Sequence, residues 1–105
     1  MIIVATDAPV DARELRRIAA RAIFAMARTG STFSNGSGDF AIAFSTERGA
    51  VSPIEVSGLF EATLDATEEA IYNSMLKAVD TTASGRTVRA LPIDPLRALL
   101  RKYGR

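Results

Sequence analysis

The sequence predicts a small α/β (α+β) domain with two buried strands and three helices. Two apolar runs without polar alternation, residues 1–6 and 40–46, predict the strands, because a strand buried on both faces carries apolar side chains in succession. Three stretches with apolar residues at helical spacing, each opened by a capping signal, predict the helices. Two strands alone make a marginal sheet. We therefore expect the helices to cover one face of it and a partner chain to cover the remaining apolar surface.

The first predicted helix lies between the two strands. Asp11 and Glu14 form a capping-box pattern that starts this helix near Ala12, and Gly30 is a typical C-terminal cap. Its arginines fall largely away from the apolar face. We interpret them as a solvated face, or as ion-pair partners for an acidic second helix, in preference to a phosphate or RNA site. They are Arg13, Arg16, Arg17 and Arg21.

The second half of the chain is predicted to contain two helices joined by a turn. The capping box Ser52–Glu55 opens a long helix that should run to about Val79. A turn at Gly85 and a short extended piece at 88–91 then lead to a last helix over 94–103. Only two convincing strands are therefore expected in a single domain that comprises residues 1–105.

The composition excludes several classes of function. Without cysteine or histidine the chain has no thiolate or imidazole ligand, no imidazole base and no Ser-His-Asp triad, so we expect neither a metal nor a cofactor. A formal net charge of +1 does not predict nucleic-acid binding. No apolar run is long enough to cross a bilayer, and the N-terminus has no signal-peptide pattern. These features favour a cytoplasmic protein without membrane contact.

The loop over 30–39 is rich in glycine and hydroxyl residues and precedes the second strand. It lacks the lysine of a P-loop and does not link a strand to a helix, which argues against phosphate binding. Ser37 and Asp39 are separated by one glycine and are able to form a hydroxyl–carboxylate pair. Spacing alone favours an ordinary turn in which both side chains bond to local backbone. Glu68 and Glu69 are interpreted as a solvated face, not a metal site.

Four blocks of the chain, in this order, resemble the L-aminopeptidase/D-esterase family, which includes the β-peptidyl aminopeptidases. The blocks are 3–9, 27–31, 34–46 and 66–74. The resemblance covers nearly the whole chain and is to the C-terminal chain of the family. It implies a precursor that cleaves its own Gly-Ser bond and exposes a nucleophilic serine. It also implies that the two resulting chains stay together in a four-layer αββα sandwich, commonly assembled as a tetramer.

The resemblance also implies roles for particular residues. It places the nucleophilic serine about two residues before Met1, and it matches Ser37 and Asp39 to the family's supporting serine and acidic residue. An N-terminal serine carries its own α-amine, whose ordinary pKa of about 7.7 to 8 lets it accept the hydroxyl proton without a histidine. Oxyanion donors and most of the substrate pocket would come from the N-terminal chain.

The expected function is therefore that of the C-terminal chain or fragment of an N-terminal-serine aminopeptidase. Such an enzyme releases N-terminal amino acids from small peptides, amides or esters, and this chain alone is expected to be inactive. Its expected partners are the N-terminal chain and further copies of itself. A rival hypothesis is a non-catalytic assembly or binding module of the same fold. A transferase with an N-terminal threonine is a third, which the block around Ser37 does not favour.

Overall fold

The computed structural model describes residues 1–104, which form two compact units, residues 1–71 and the segment from Tyr72 onward. Three helices and two small sheets make it a mixed α/β structure, as predicted. In chain order the elements are β1 (Ile2–Thr6), α1 (Ala12–Ala25), a 3₁₀ turn (Met26–Thr29), β2 (Ala41–Ser45), α2 (Pro53–Leu76), β3 (Thr81–Ala83), β4 (Arg86–Val88) and α3 (Ile93–Lys102).

Strands β1 and β2 form a parallel pair whose register runs from Ile2 opposite Ala41 to Thr6 opposite Ser45. The Ile2 N–H donates to the carbonyl oxygen of Phe40 at 2.8 Å, so the pairing begins at the first residue of β1. Helix α1 is the crossover that parallel strands require. Because parallel strands start at the same edge of a sheet, the loop that precedes β2 lies beside the start of β1.

Helices α1 and α2 cover one face of this strand pair. Ile18, Ala22 and Ala25 of α1 are fully buried. Helix α2 contributes small residues, among them Thr63 and Thr67, which are buried although they are polar. The Thr63 hydroxyl donates to the Leu59 carbonyl at 2.7 Å, which satisfies it inside its own helix. Thr63, Ala66 and Thr67 of α2 line a cavity of about 220 Å³ together with residues of β1.

The opposite face of the strand pair is exposed. Ile3 is 64% exposed, and its register partner Ile42 is 55% exposed. Phe44 lies on the same face. The helices of this chain therefore cover one face of the strand pair, as expected, and the second apolar face is exposed in this chain. The continuous apolar pattern predicts that both faces of the strands are buried in the full protein. It does not indicate which part of the protein covers the second face.

Both predicted starts of the longer helices are confirmed. The Ser52 N–H donates to the Glu55 carboxylate at 2.7 Å, and the Glu55 N–H donates to the Ser52 hydroxyl at 3.3 Å. These two bonds to Ser52 hold the pKa of Glu55 below its ordinary value. Helix α2 ends at Leu76, slightly before the predicted Val79. No helix within residues 1–104 is long and apolar enough to span a bilayer.

Helix α1 is capped at both ends by local bonds. The Asp11 carboxylate accepts the Glu14 N–H at 2.9 Å. The Glu14 carboxylate forms an ion pair with Arg17, at 3.4 Å. Gly30 ends the 3₁₀ turn with a φ of 93°, a left-handed conformation that glycine adopts without steric cost. The predicted start and end of this helical segment are confirmed.

The second unit contains a hairpin that the sequence analysis did not predict. Strands β3 and β4 are antiparallel, and the hydroxyls of Thr82 and Thr87 lie 2.8 Å apart across the pair. Ser84 and Gly85 both have positive φ, as in the two-residue turns that join tight hairpins. Each strand has three residues, all exposed, so neither shows the apolar alternation that marks a strand. Only the turn at Gly85 was predictable.

A glycine fixes the approach of the loop after β2 to the loop after β1. A Cβ added at Gly49 would lie 2.9 Å from the Pro9 Cβ and 3.2 Å from its carbonyl oxygen. We expect Gly49→Ala to destabilise the fold by about 1 to 3 kcal/mol, since one of the two loops must move. Gly58→Ala is the control. An added Cβ at Gly58 meets open space, and alanine in a helix interior is favoured over glycine by about 0.5 to 1 kcal/mol.

Urea unfolding followed by far-ultraviolet circular dichroism compares these two variants with the parent chain. The midpoint should fall for Gly49→Ala and rise for Gly58→Ala. An unchanged midpoint for Gly49→Ala would show that the two loops separate without cost.

Candidate active site

Ser37 and Asp39 form a hydrogen-bonded pair in the loop before β2. The Ser37 hydroxyl donates to the Asp39 carboxylate, with 2.6 Å between the oxygens. The Ser37 N–H also donates to the Ser34 carbonyl at 2.9 Å, and Gly36 between them has a φ of 93°. A tight turn therefore fixes the backbone of Ser37. Ser37 is exposed and Asp39 is half-buried, which leaves the hydroxyl open to a further partner.

This pair lies at the edge where β1 begins. Asp39 and Phe40 line a cavity of about 170 Å³ together with Met1 and Ile2. The register of the parallel pair sets Met1 level with Phe40, one step before the pairing of Ile2 with Ala41. Parallel strands advance by equal steps. A strand extended backwards from Met1 in this register would place its second residue level with Gly38, between the two members of the pair.

Comparison with known proteins identifies the family. The sequence model of peptidase family S58 matches residues 1–88. The chain belongs to peptidase family S58. The resemblance of the four sequence blocks to the L-aminopeptidase/D-esterase family is thereby confirmed. The S58 chain is 40% identical over 119 residues to the "Beta-peptidyl aminopeptidase BapA" of Sphingosinicella microcystinivorans, covering 100% of this chain and 30% of that protein. For the protein of that name from Sphingosinicella xenopeptidilytica the identity is 33%, with 96% and 29% covered.

Solved structures confirm the fold class. The S58 chain superposes on the PH0078 protein of Pyrococcus horikoshii OT3 with a TM-score of 0.88 and 44% identity, covering 99% of this chain and 33% of that one. It superposes on a beta-aminopeptidase of Burkholderia sp. with a TM-score of 0.83 and 29% identity, covering 98% and 35%. The S58 chain therefore spans about a third of the length of the relatives it matches.

The acidic residues of α2 bind an arginine. Arg28 donates to the Asp65 carboxylate at 2.6 Å and lies 3.4 Å from that of Glu68. The hydrogen bond with Asp65 raises the pKa of Arg28. Glu68, which we interpreted as part of a solvated face, is therefore ion-paired at the surface. Within residues 1–104, no three carboxylates meet in a way that would hold a metal ion.

The arginine face of α1 makes an aromatic contact in addition to an ion pair. The guanidinium carbons of Arg17 and Arg21 lie 4.7 Å and 4.1 Å from the centre of the Phe60 ring. Cation–π contacts of this kind attach the outer side of α1 to α2. Arg28, which we did not single out from the sequence, forms ion pairs with Asp65 and Glu68 of α2. Arg17 and Arg21 thus serve the packing of α1 against α2.

A larger cavity, of about 440 Å³, lies at the other end of the strand pair. Two of its polar side chains, those of Ser45 and Asp11, make bonds within the fold. The Ser45 hydroxyl donates to the Ala8 carbonyl at 2.6 Å. Asp11 caps α1, and its hydrogen bonding with Glu14, through the side chain and then the backbone N–H, keeps the pKa of Asp11 below its ordinary value. The candidate site is therefore the Ser37–Asp39 pair, at the edge where the two strands begin.

Proposed function

We propose that the S58 chain is the C-terminal part of an N-terminal-serine aminopeptidase that releases amino acids from small peptides, amides or esters. In this proposal the precursor cleaves itself about two residues before Met1, and the new terminal serine is the nucleophile. The observation that supports this most directly is the 2.6 Å bond between Ser37 and Asp39 at the edge where β1 begins. The names of the relatives support the same reaction class.

The proposed chemistry requires a proton acceptor, an anchor for the nucleophile and a group that balances charge. The α-amine of the terminal serine takes the hydroxyl proton as the oxygen attacks the substrate carbonyl, and it returns the proton to the leaving amine. Water then attacks the resulting ester and passes a proton to the same amine, and the amine returns that proton to the serine oxygen as the amino acid leaves with its new carboxyl group.

Ser37 and Asp39 are suited to support that cycle. The Ser37 hydroxyl donates its hydrogen bond to Asp39. Its oxygen therefore keeps lone pairs that can accept a hydrogen bond from the nucleophile or from its amine. The Asp39 carboxylate favours the protonated amine that forms in the transition state. The pair would thus hold the nucleophile in its attacking orientation, as the third member of a catalytic triad does.

The exposed sheet face indicates how the rest of the protein would be attached. Ile3, Ile42 and Phe44 present apolar side chains side by side, and a patch of this kind usually marks a contact surface. The relatives are about three times as long as this chain. We propose that the N-terminal part of the full protein covers this face and supplies the oxyanion donors and the substrate pocket.

The test is the fate of the full-length precursor. The reading frame upstream of the Met1 codon should encode a Gly-Ser pair about two residues before Met1, after a long N-terminal segment. Mass spectrometry of the purified product should then show two chains, the smaller one beginning at that serine. Replacement of that serine by alanine should leave the precursor uncut. An upstream frame without the serine, or a parent precursor that stays intact, would favour the assembly module instead.

A further inference from the structure

We infer that the side chain of the residue directly before Met1 occupies the cavity at the starting edge of β1. Binding of this side chain in the cavity then positions the nucleophile. The inference rests on the proposed function, in which the chain continues upstream. We call this space the edge cavity. Its lining residues are Met1, Ile2, Met26, Thr29, Asp39, Phe40 and Ile71.

The alternation of β1 determines which upstream residue enters the edge cavity. Ile2 and Val4 are half-buried toward the helices, whereas Met1 is 85% exposed and Ile3 is exposed beside it. Side chains two apart in a strand share a face. The residue directly before Met1 therefore faces the helices, as Ile2 does, and the edge cavity lies on that side against Met26 and Ile71. The residue before that one, the proposed nucleophile, faces away from the helices.

The chemistry of the edge cavity selects an apolar occupant. The Thr29 hydroxyl donates to the Met26 carbonyl at 2.9 Å, and one Asp39 carboxylate oxygen accepts the Ser37 hydroxyl, so two of its polar groups have partners within the fold. The remaining walls come from Met26, Phe40 and Ile71. A cavity of about 150 Å³ holds a benzene-sized molecule, so one of about 170 Å³ has room for a single branched aliphatic side chain. Valine, isoleucine or leucine fits this description.

Such an anchor would act directly on the reaction geometry. The anchored residue is the peptide neighbour of the nucleophile, and the same cavity contacts Asp39, the acceptor of the Ser37 hydroxyl. A displacement of about 1 Å in a reacting group can reduce a rate about 10²-fold. Ile71 and Met26 would act on the nucleophile through its anchored neighbour, which makes them positioning residues of the site.

The test enlarges one side chain at the edge cavity and shortens the opposing one, in the full-length protein. Ile71→Phe fills the cavity from α2, and we expect it to lower the self-cleavage rate and kcat at least tenfold while KM changes less than twofold. Replacement of the residue directly before Met1 by alanine should also lower the self-cleavage rate and kcat. In the double variant the smaller side chain makes room for the ring, and most of the activity should return. Leu64→Phe, a matched change on α2 outside the edge cavity, should not be rescued.

Three results would overturn the inference. They are an Ile71→Phe variant with parental rates, a double variant no faster than Ile71→Phe alone, or an equal rescue of Leu64→Phe. Thermal unfolding separates this inference from the proposed function. If the parent protein neither cleaves itself nor turns over substrate, the proposed function fails, and the inference is still tested by the melting temperatures. If the melting temperature of the double variant falls by less than the sum of the two single decreases, the result supports the presence of that side chain in the edge cavity. Strictly additive decreases contradict it.

Discussion

The isolated 105-residue chain should hydrolyse no aminoacyl p-nitroanilide above the buffer background. In the proposed mechanism both the attacking oxygen and the amine that takes its proton precede Met1. Removal of the nucleophile from a cooperative site costs about 10⁶ in kcat. The measurement compares p-nitroaniline release by equal molar amounts of the chain and of the self-cleaved full-length protein, with a small N-terminal amino acid as the acyl group.

Two controls make this comparison decisive. Circular dichroism must show helical structure in the isolated chain, so that inactivity is not a failure to fold. The full-length protein whose upstream serine is replaced by alanine should be as inactive as the chain alone. Turnover by the isolated chain would overturn the proposal that it supplies only part of the site.

Ser37→Ala and Asp39→Asn should each lower the turnover of the full-length enzyme by about 10²-fold or more, which is the scale of a lost acid–base partner. The alanine variant removes the hydroxyl that we propose contacts the nucleophile. The asparagine variant keeps the shape of Asp39 and its acceptor oxygen but removes the negative charge that favours the protonated amine. The assay is kcat on the same p-nitroanilide, with self-cleavage followed separately by mass spectrometry.

Ser34→Ala is the matched control for this pair. It makes the same substitution in the same loop, and the Ser34 carbonyl that holds the Ser37 N–H is retained. Its turnover should stay within about twofold of the parent, since exposed substitutions away from special contacts have small effects. Full activity in Ser37→Ala or Asp39→Asn would show that the pair is an ordinary turn.

The features that the sequence predicted correctly depend on neighbouring residues. The reciprocal bonds of Ser52 and Glu55 involve residues three apart, so the motif itself specifies the contact. The left-handed cap at Gly30 likewise follows from one residue type. The spacing of Ser37 and Asp39 allows a bond between their side chains. Spacing alone, however, favoured a turn in which both side chains bond to the backbone. Only the family resemblance suggested a functional role.

The features that the sequence did not predict depend on distant residues or on weak patterns. The edge cavity unites Met1, Met26, Asp39 and Ile71, which no local periodicity relates to one another. The contact of Arg21 with Phe60 likewise joins two helices whose relative placement the sequence alone does not determine. The β3–β4 hairpin was missed because its strands are short and bury no side chain.

The bond from the Ile2 N–H to the Phe40 carbonyl limits how far a chain end created just upstream can wander. A chain spans at most about 3.6 Å per residue, so two residues beyond Met1 reach roughly 7 Å. If the precursor is cut there, as we propose, the new terminus would stay attached to the strand pair through this bond. The folded strand pair would keep the local concentration of the new amine high. We therefore expect the cleaved protein to be catalytically competent without a separate maturation step.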